Sequence, residues 1–365
     1  MPIFDQGYQH WSGELSGHAW RWLTIARHGV RVGMKDLWVR RVLTLSWLPA
    51  LGLVFVLCLW GLLERKSDLV VALLEPLQRL LGTQVVADPR HYRIEIWTLC
   101  YSYFVSAELT FSMILIVLVG RNLISQDLRF NALPLYFSRP LRRIDYFFGK
   151  LGVIGALLGM IMVVPALIAY ILGMLFSLDI TIVSDTFPIL LAGIAYGAVV
   201  VLSAGTLILA LSSLSRNTRY IALLWMAIWF VSGLVATALQ SVERHERFQE
   251  IRSEPMDPSL AQGQFDRRQV WEEVAKEERA ASATDWRPMI SYTGNLSRIG
   301  RQLLGTDDRL ESLSQNLPPR ERFAFLQFFS GPQYPWYWSA GVLAVLFGLS
   351  VCILHFRVRS LDRLK

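Results

Sequence analysis

Six long apolar runs interrupt a chain that is otherwise polar and basic, at residues 45–63, 96–120, 151–178, 187–214, 220–239 and 336–356. Each is about as long as the ~20 residues an α-helix needs to cross a hydrocarbon core of ~30 Å. In lipid every backbone N–H and C=O must be satisfied within the segment, and none of the runs alternates as a strand would. The pattern therefore predicts an all-α integral membrane protein with six transmembrane helices. The third and fourth runs exceed what a bilayer requires, so they are expected to tilt, to kink at Pro165 or to project beyond it.

The segments between the runs carry their own patterns. Residues 20–41 mix Trp22, Ile25, Val32 and Trp38 with Arg21, Arg27, Arg31 and Lys35, which suits a helix lying in the membrane interface. A plain basic juxtamembrane segment is the simpler alternative, and Gly29 and Gly33 weaken an unbroken helix. Residues 64–95 form a loop whose amphipathic stretch, 69–81, is interrupted by Pro76. Residues 240–335 make the largest region outside the runs. Its first part, 243–280, is dense in both charge signs and reads as an exposed helical or partly disordered insertion. Residues 290–305 and 323–329 are amphipathic or apolar and are expected to lie against the outer face of the membrane. No internal repeat is apparent.

Charge adds the orientation. The net charge is +7 over 365 residues. The segments before the first run, between the second and third, between the fourth and fifth, and after the sixth hold 18 Lys/Arg against 6 Asp/Glu. The other segments hold 18 against 22, mostly in the long 240–335 loop, and long loops cross regardless of charge. Both termini are therefore expected in the cytoplasm. The polar, basic first 40 residues show no cleavable leader, so the first run is expected to insert as its own anchor. The basic residues mark orientation rather than a nucleic-acid ligand, because no charge cluster sits on a soluble domain.

Thirteen tryptophans are a heavy load, and Trp97, Tyr101, Trp336, Tyr337 and Trp338 are expected to anchor span ends at the headgroup level. Cys58, Cys100 and Cys352 lie within the runs without CxxC spacing, which argues against a disulfide framework or zinc site. Gly149-Lys150 is followed by Leu151, and no phosphate-cradling glycine-rich loop precedes it. There is no H-E-x-x-H, no second histidine shares a run with His355, and no G-x-S-x-G elbow is present. No cofactor is implied, and the chain is not expected to be an enzyme.

Glu108 is the one Asp, Glu, Lys or Arg near the middle of a run. A carboxylate there is costly and is a functional candidate by default. The alternative is a group that only packs, neutral or hydrogen-bonded to Tyr101, Thr110 or Ser112.

The strongest local signal lies at residues 121–150. Before Pro134, charged and apolar residues alternate at helical spacing (Leu123, Asp127, Leu128). Leu133, Leu135, Tyr136 and Phe137 then form an apolar patch beside Arg139, Arg142 and Arg143. An apolar knob rimmed by charge suits docking to a cytoplasmic partner. A basic loop resting on anionic lipid is the other reading.

This loop resembles that of the membrane subunits of ABC type-2 transporters. Asp127, Leu133 to Phe137, Ser138-Arg139-Pro140, Arg142-Arg143 and Lys150 fall where that family has an acid leading into a coupling helix, a Leu-rich turn, a Ser/Thr-x-Pro step, an Arg and a Lys opening the third span. The family more often has Glu than Asp at the acidic position. The six-helix layout, the basic amphipathic N-terminus and the segment before the last helix also match. The loop at 64–95 and the insertion at 243–285 depart from the simplest members and leave the substrate open.

The resemblance implies a permease of a bacterial inner-membrane exporter. It would pair with a second copy or a homologous permease and bind separate cytoplasmic ATPase subunits, which alone would hydrolyse ATP. Asp127, Leu133, Leu135, Tyr136, Phe137, Arg139 and Arg142 would form the ATPase-coupling site. Two rivals stand beside this reading: a non-transporting scaffold that binds an extracytoplasmic partner through 240–335, and an intramembrane enzyme using Glu108.

Overall fold

The computed structural model describes residues 20–66, 83–133, 141–177, 181–253, 284–315 and 334–361, with Gln78, Tyr136, Arg322, Phe325, Leu326, Phe329 and Gly331 between them. The described residues form helices and no strands. Six helices are long and apolar enough to cross a membrane: α2 (Leu37–Glu64), α3 (Arg93–Arg129), α4 (Arg143–Ser177), α5 (Thr181–Leu214), α6 (Thr218–Glu243) and α9 (Trp336–Arg357). An amphipathic helix, α1 (Arg21–Gly33), precedes them. Two helices, α7 (Tyr292–Leu304) and α8 (Thr306–Ser314), come before α9. The amphipathic stretch at 69–81 and most of the charged insertion at 243–285 lie outside the described residues.

The bundle is built around α3 and α5, buried over 56% and 67% of their apolar windows, whereas α6 and α9 reach only 17% and 22%. The inner pair must satisfy close packing on all sides. The outer pair leaves Leu223, Phe230, Leu234, Val345 and Leu349 exposed, as lipid-facing surfaces do.

Pro165 cannot donate to a helical bond and crowds the preceding turn. In α4 the turn just before it, Gly159–Val163, widens to a π-helix, which relieves that conflict without ending the helix. Similar π-turns interrupt α5 at Val201–Gly205 and α6 at Ala227–Val231.

Trp97 and Tyr101 correct the expected headgroup anchors: they are 1% and 0% exposed, and their rings stack at 6.3 Å. The Tyr101 hydroxyl donates to the Ala166 carbonyl at 2.9 Å, so its polar tip is satisfied inside the bundle. Trp336 and Tyr337 do stay exposed.

The segment before α9 also sits deeper than expected. Tyr292 is buried, its hydroxyl 2.9 Å from Ser203 Oγ on α5 and its N–H donating to Ser232 Oγ on α6 at 3.2 Å. Gly300 lets Tyr196 of α5 pack against α7, since a Cβ there would come within 2.9 Å of the ring. At the α7–α8 turn, Gly305 takes the left-handed φ of 64° that glycine tolerates. Asp307 then accepts from Arg298 and Arg301, which locks the two helices together. This hairpin packs on α3, α5 and α9 rather than lying on the rim.

Candidate functional site

The elbow between α3 and α4 is assembled from both helices. Helix α3 breaks at Ile124, where one turn of backbone loses its regular partners. Ser212 of α5 repairs the break: its Oγ accepts from the N–H of Ile124 and Ser125 at 3.1 and 3.0 Å and donates to the Arg121 carbonyl at 3.2 Å. The short helix Ser125–Arg129 follows, and Asn131 turns the chain with a left-handed φ of 51°, a conformation asparagine tolerates better than most residues.

Asp127 is the hub. One carboxylate oxygen lies 2.6 Å from Lys150 Nζ and accepts the Tyr146 hydroxyl at 2.6 Å. Its backbone carbonyl takes the Ala132 N–H at 2.8 Å, which closes the turn. The Lys150 ammonium also sits 5.3 Å from the Tyr146 ring centre and 5.9 Å from that of Tyr136, within cation–π range. Those two rings meet edge to face at 5.4 Å. Burial, then the Asp127 carboxylate, push the Tyr136 phenol above its ordinary range, so it stays neutral. At the start of α4 the Arg142 N–H donates to Asp145 at 3.2 Å, a cap that orients the helix.

Of the residues expected in the coupling site, Asp127 and Tyr136 come together, with Lys150 and Tyr146 completing the cluster. Arg142 is exposed at the entrance to α4. Leu133 is a correction: at 4% exposed it belongs to the core and supports the loop from beneath instead of presenting itself to a partner. Leu135, Phe137 and Arg139 lie outside the described residues. The sequence reading missed Phe130, 72% exposed at the tip of the elbow. Its place after Arg129 carried no periodic signal.

Helix α1 buttresses the same elbow. Trp22, Ile25 and Ala26 face Gly149 and Gly152 of α4, where a Cβ at Gly149 would lie 2.7 Å from Ile25 Cβ and 3.0 Å from the Trp22 carbonyl. Gly29 gives Val153 the same close approach from the other side. Gly29, one of the two glycines that weakened the prediction of a helix, is thus part of what lets two helices meet.

Two polar features lie elsewhere. Glu108 is wholly buried, and neither carboxylate oxygen has a hydrogen-bond partner among the described residues; Ser112 Oγ, one turn on, has none either. At the opposite end of the bundle Arg93 of α3 is nearly inaccessible. It donates to both Glu64 oxygens of α2, at 2.9 and 3.0 Å, and to Thr181 and Asp185 of α5, each at 3.1 Å. Ser177 of α4 donates to the same Glu64 at 2.5 Å, so four helices share one clamp. Sequence reading missed this cluster because its members are far apart along the chain and each stands at a helix end, where charge is ordinary.

Six membrane-capable helices, two of them buried at the centre, with a tied elbow on one side, define a multi-pass membrane protein. Residues 29–268 match the family described as ABC-2 family transporter protein, and the chain belongs to that family. It is thus an ABC transporter permease, a membrane component whose family pairs with an ABC ATPase subunit. The match takes in the elbow and α2 to α6, and α7 to α9 lie beyond it. No curated protein matches the chain significantly.

Proposed function

We propose that this chain is the permease of an ATP-driven exporter in a bacterial inner membrane. The elbow and both termini face the cytoplasm, and the chain works as a pair with a second permease. A cytoplasmic ATPase seats on the elbow through Leu135, Tyr136 and Phe137, with Arg139 and Arg142 at the rim and Phe130 added at the tip. Asp127 acts from inside the elbow and not as a direct contact.

The observation that carries this reading is the Asp127–Lys150–Tyr146 tie. It joins the end of α3 to the start of α4, while Ser212 joins the same end to α5. A push on the elbow therefore displaces three helices as a unit, as coupling a nucleotide-driven closure to a bundle requires. The basic excess on this side supports the orientation.

Co-expression with a candidate ABC ATPase from the same organism tests the reading. The two proteins should co-purify, and Tyr136→Ala with Phe137→Ala should release the ATPase or uncouple hydrolysis from export. Buried anchors in such contacts cost ~2 kcal/mol or more on truncation. Arg143→Ala alone should change little. Full complex formation and coupled turnover in the double variant would sink the docking surface.

A further inference from the structure

A second basic site lies beside the elbow. The turn joining α5 to α6 borders a cavity of about 420 Å³ lined by Arg129, Arg216, Asn217, Thr218 and Arg219. Three guanidinium groups share this space, and no acid lines it among the described residues. None of the three forms an ion pair among the described residues. The nearest carboxylate in sequence, Asp127, is taken by Lys150 and Tyr146. Between Asp185 and Glu243 the chain has no Asp or Glu at all. Arg357, from the end of α9, donates to the Leu214 carbonyl at 3.0 Å and adds a fourth guanidinium beside the turn.

The turn is already shaped. Ser215 Oγ accepts the Asn217 N–H at 3.1 Å, and Asn217 Oδ1 accepts the Arg219 N–H at 3.0 Å. The polar side chains of the turn therefore fix its backbone and leave the arginines to face the cavity. Next to them the surface becomes apolar: Tyr220 and Leu223 of α6 are 61% and 65% exposed. Uncompensated guanidinium groups call for a bidentate oxyanion. An adjoining apolar flank calls for hydrocarbon.

We propose that this cavity binds a phosphate, that of an anionic lipid headgroup whose acyl chains run along α6. Basic pockets between transmembrane helices recognise headgroups through this combination. Occupancy would tie the elbow helix, through Arg129, to the α5–α6 turn. The proposal does not depend on ATPase docking, because it is tested on the permease alone.

The test uses the purified full chain in neutral detergent. Phosphatidylglycerol and phosphatidylcholine retention is read by native mass spectrometry, and inorganic phosphate binding by calorimetry. Phosphatidylglycerol should be retained over phosphatidylcholine. Arg216→Gln with Arg219→Gln should weaken that retention roughly thirtyfold, as expected for removing two arginines near a headgroup. Arg31→Gln with Arg40→Gln, an equal loss of charge on other elements, should leave it nearly unchanged. All four arginines are exposed, so unchanged melting temperatures are expected and would show the variants folded. Inorganic phosphate binding that needs Arg216 and Arg219, without phosphatidylglycerol retention, would keep the phosphate site but overturn the lipid assignment. Equal weakening by both double variants, or by neither, would overturn the site.

Discussion

The Lys150 ammonium and the Asp127 carboxylate keep only 10% and 15% of their side-chain surface, so each depends on the other for solvation. Removing one strands the other, at about 3 kcal/mol for a pair this buried. Asp127→Ala should therefore lower the melting temperature of the purified permease, and Asp127→Ala with Lys150→Met should recover part of the loss. Equal melting of single and double variants would show that the ammonium left without its carboxylate carries no cost. Arg93 and Glu64 make the stronger case, at 3% and 2% side-chain exposure. Arg93→Gln should destabilise more than Asp127→Ala, and the reverse order in thermal melts would contradict the clamp. Glu108 runs the other way. A fully buried carboxyl without a partner costs free energy wherever it stands. Glu108→Met, similar in size, should melt no lower than the natural protein, and a clear drop would reveal a partner holding the carboxyl. Sequence alone singled out Glu108, because charge in the middle of an apolar run is conspicuous, and Asp127, because of its place in the patterned loop at 121–150. It could not pair Arg93 with Glu64, since charges at helix ends are common and the contact depends on how α2 and α3 pack.

Among the elements, the contact between α1 and α4 decides how the elbow is braced. Ile25 and the Trp22 carbonyl already sit where a side chain at Gly149 would go. A backbone carbonyl cannot yield as a flexible side-chain end can, so α1 must shift. Gly149→Val should cost about 2 kcal/mol, in the range of overpacked cores. It should also speed amide hydrogen exchange across Arg21–Gly33 while leaving α5 and α9 unchanged. Unaltered exchange in α1 would mean that the helix is held by something other than this seam. The amphipathic pattern of 20–41 was legible, but its face of small and apolar residues reads equally as a lipid-binding face. The partner, α4, has Gly152 inside an apolar run and Gly149 just before it, where glycine carries no distinct signal.

For the whole molecule, the basic bias of the short segments fixes the orientation we propose. Cysteines at Gln126 and Thr284, both exposed, test it in a background lacking Cys352, the exposed one of the three free thiols. On intact cells an impermeant thiol reagent should label Thr284→Cys and spare Gln126→Cys until the membrane is permeabilised. The opposite pattern would invert the topology and with it the elbow's access to any cytoplasmic ATPase.

The sequence by itself determined that this is an all-α membrane protein with six spans, and the residues at its elbow marked the family. Those features follow from hydropathy and local charge, which lipid reads one segment at a time. The tertiary structure alone decided which helices lie at the centre, that Trp97 and Tyr101 point inward, and that Leu133 is core. It also placed α7 among α3, α5 and α9 and gathered Arg93, Glu64, Ser177 and Asp185 into one clamp. In a chain so uniformly apolar, lipid and protein neighbours look alike to any local pattern. Burial is then settled by shape: where glycine admits a close approach, where a π-turn reorients a helix, and where a buried polar group finds its partner.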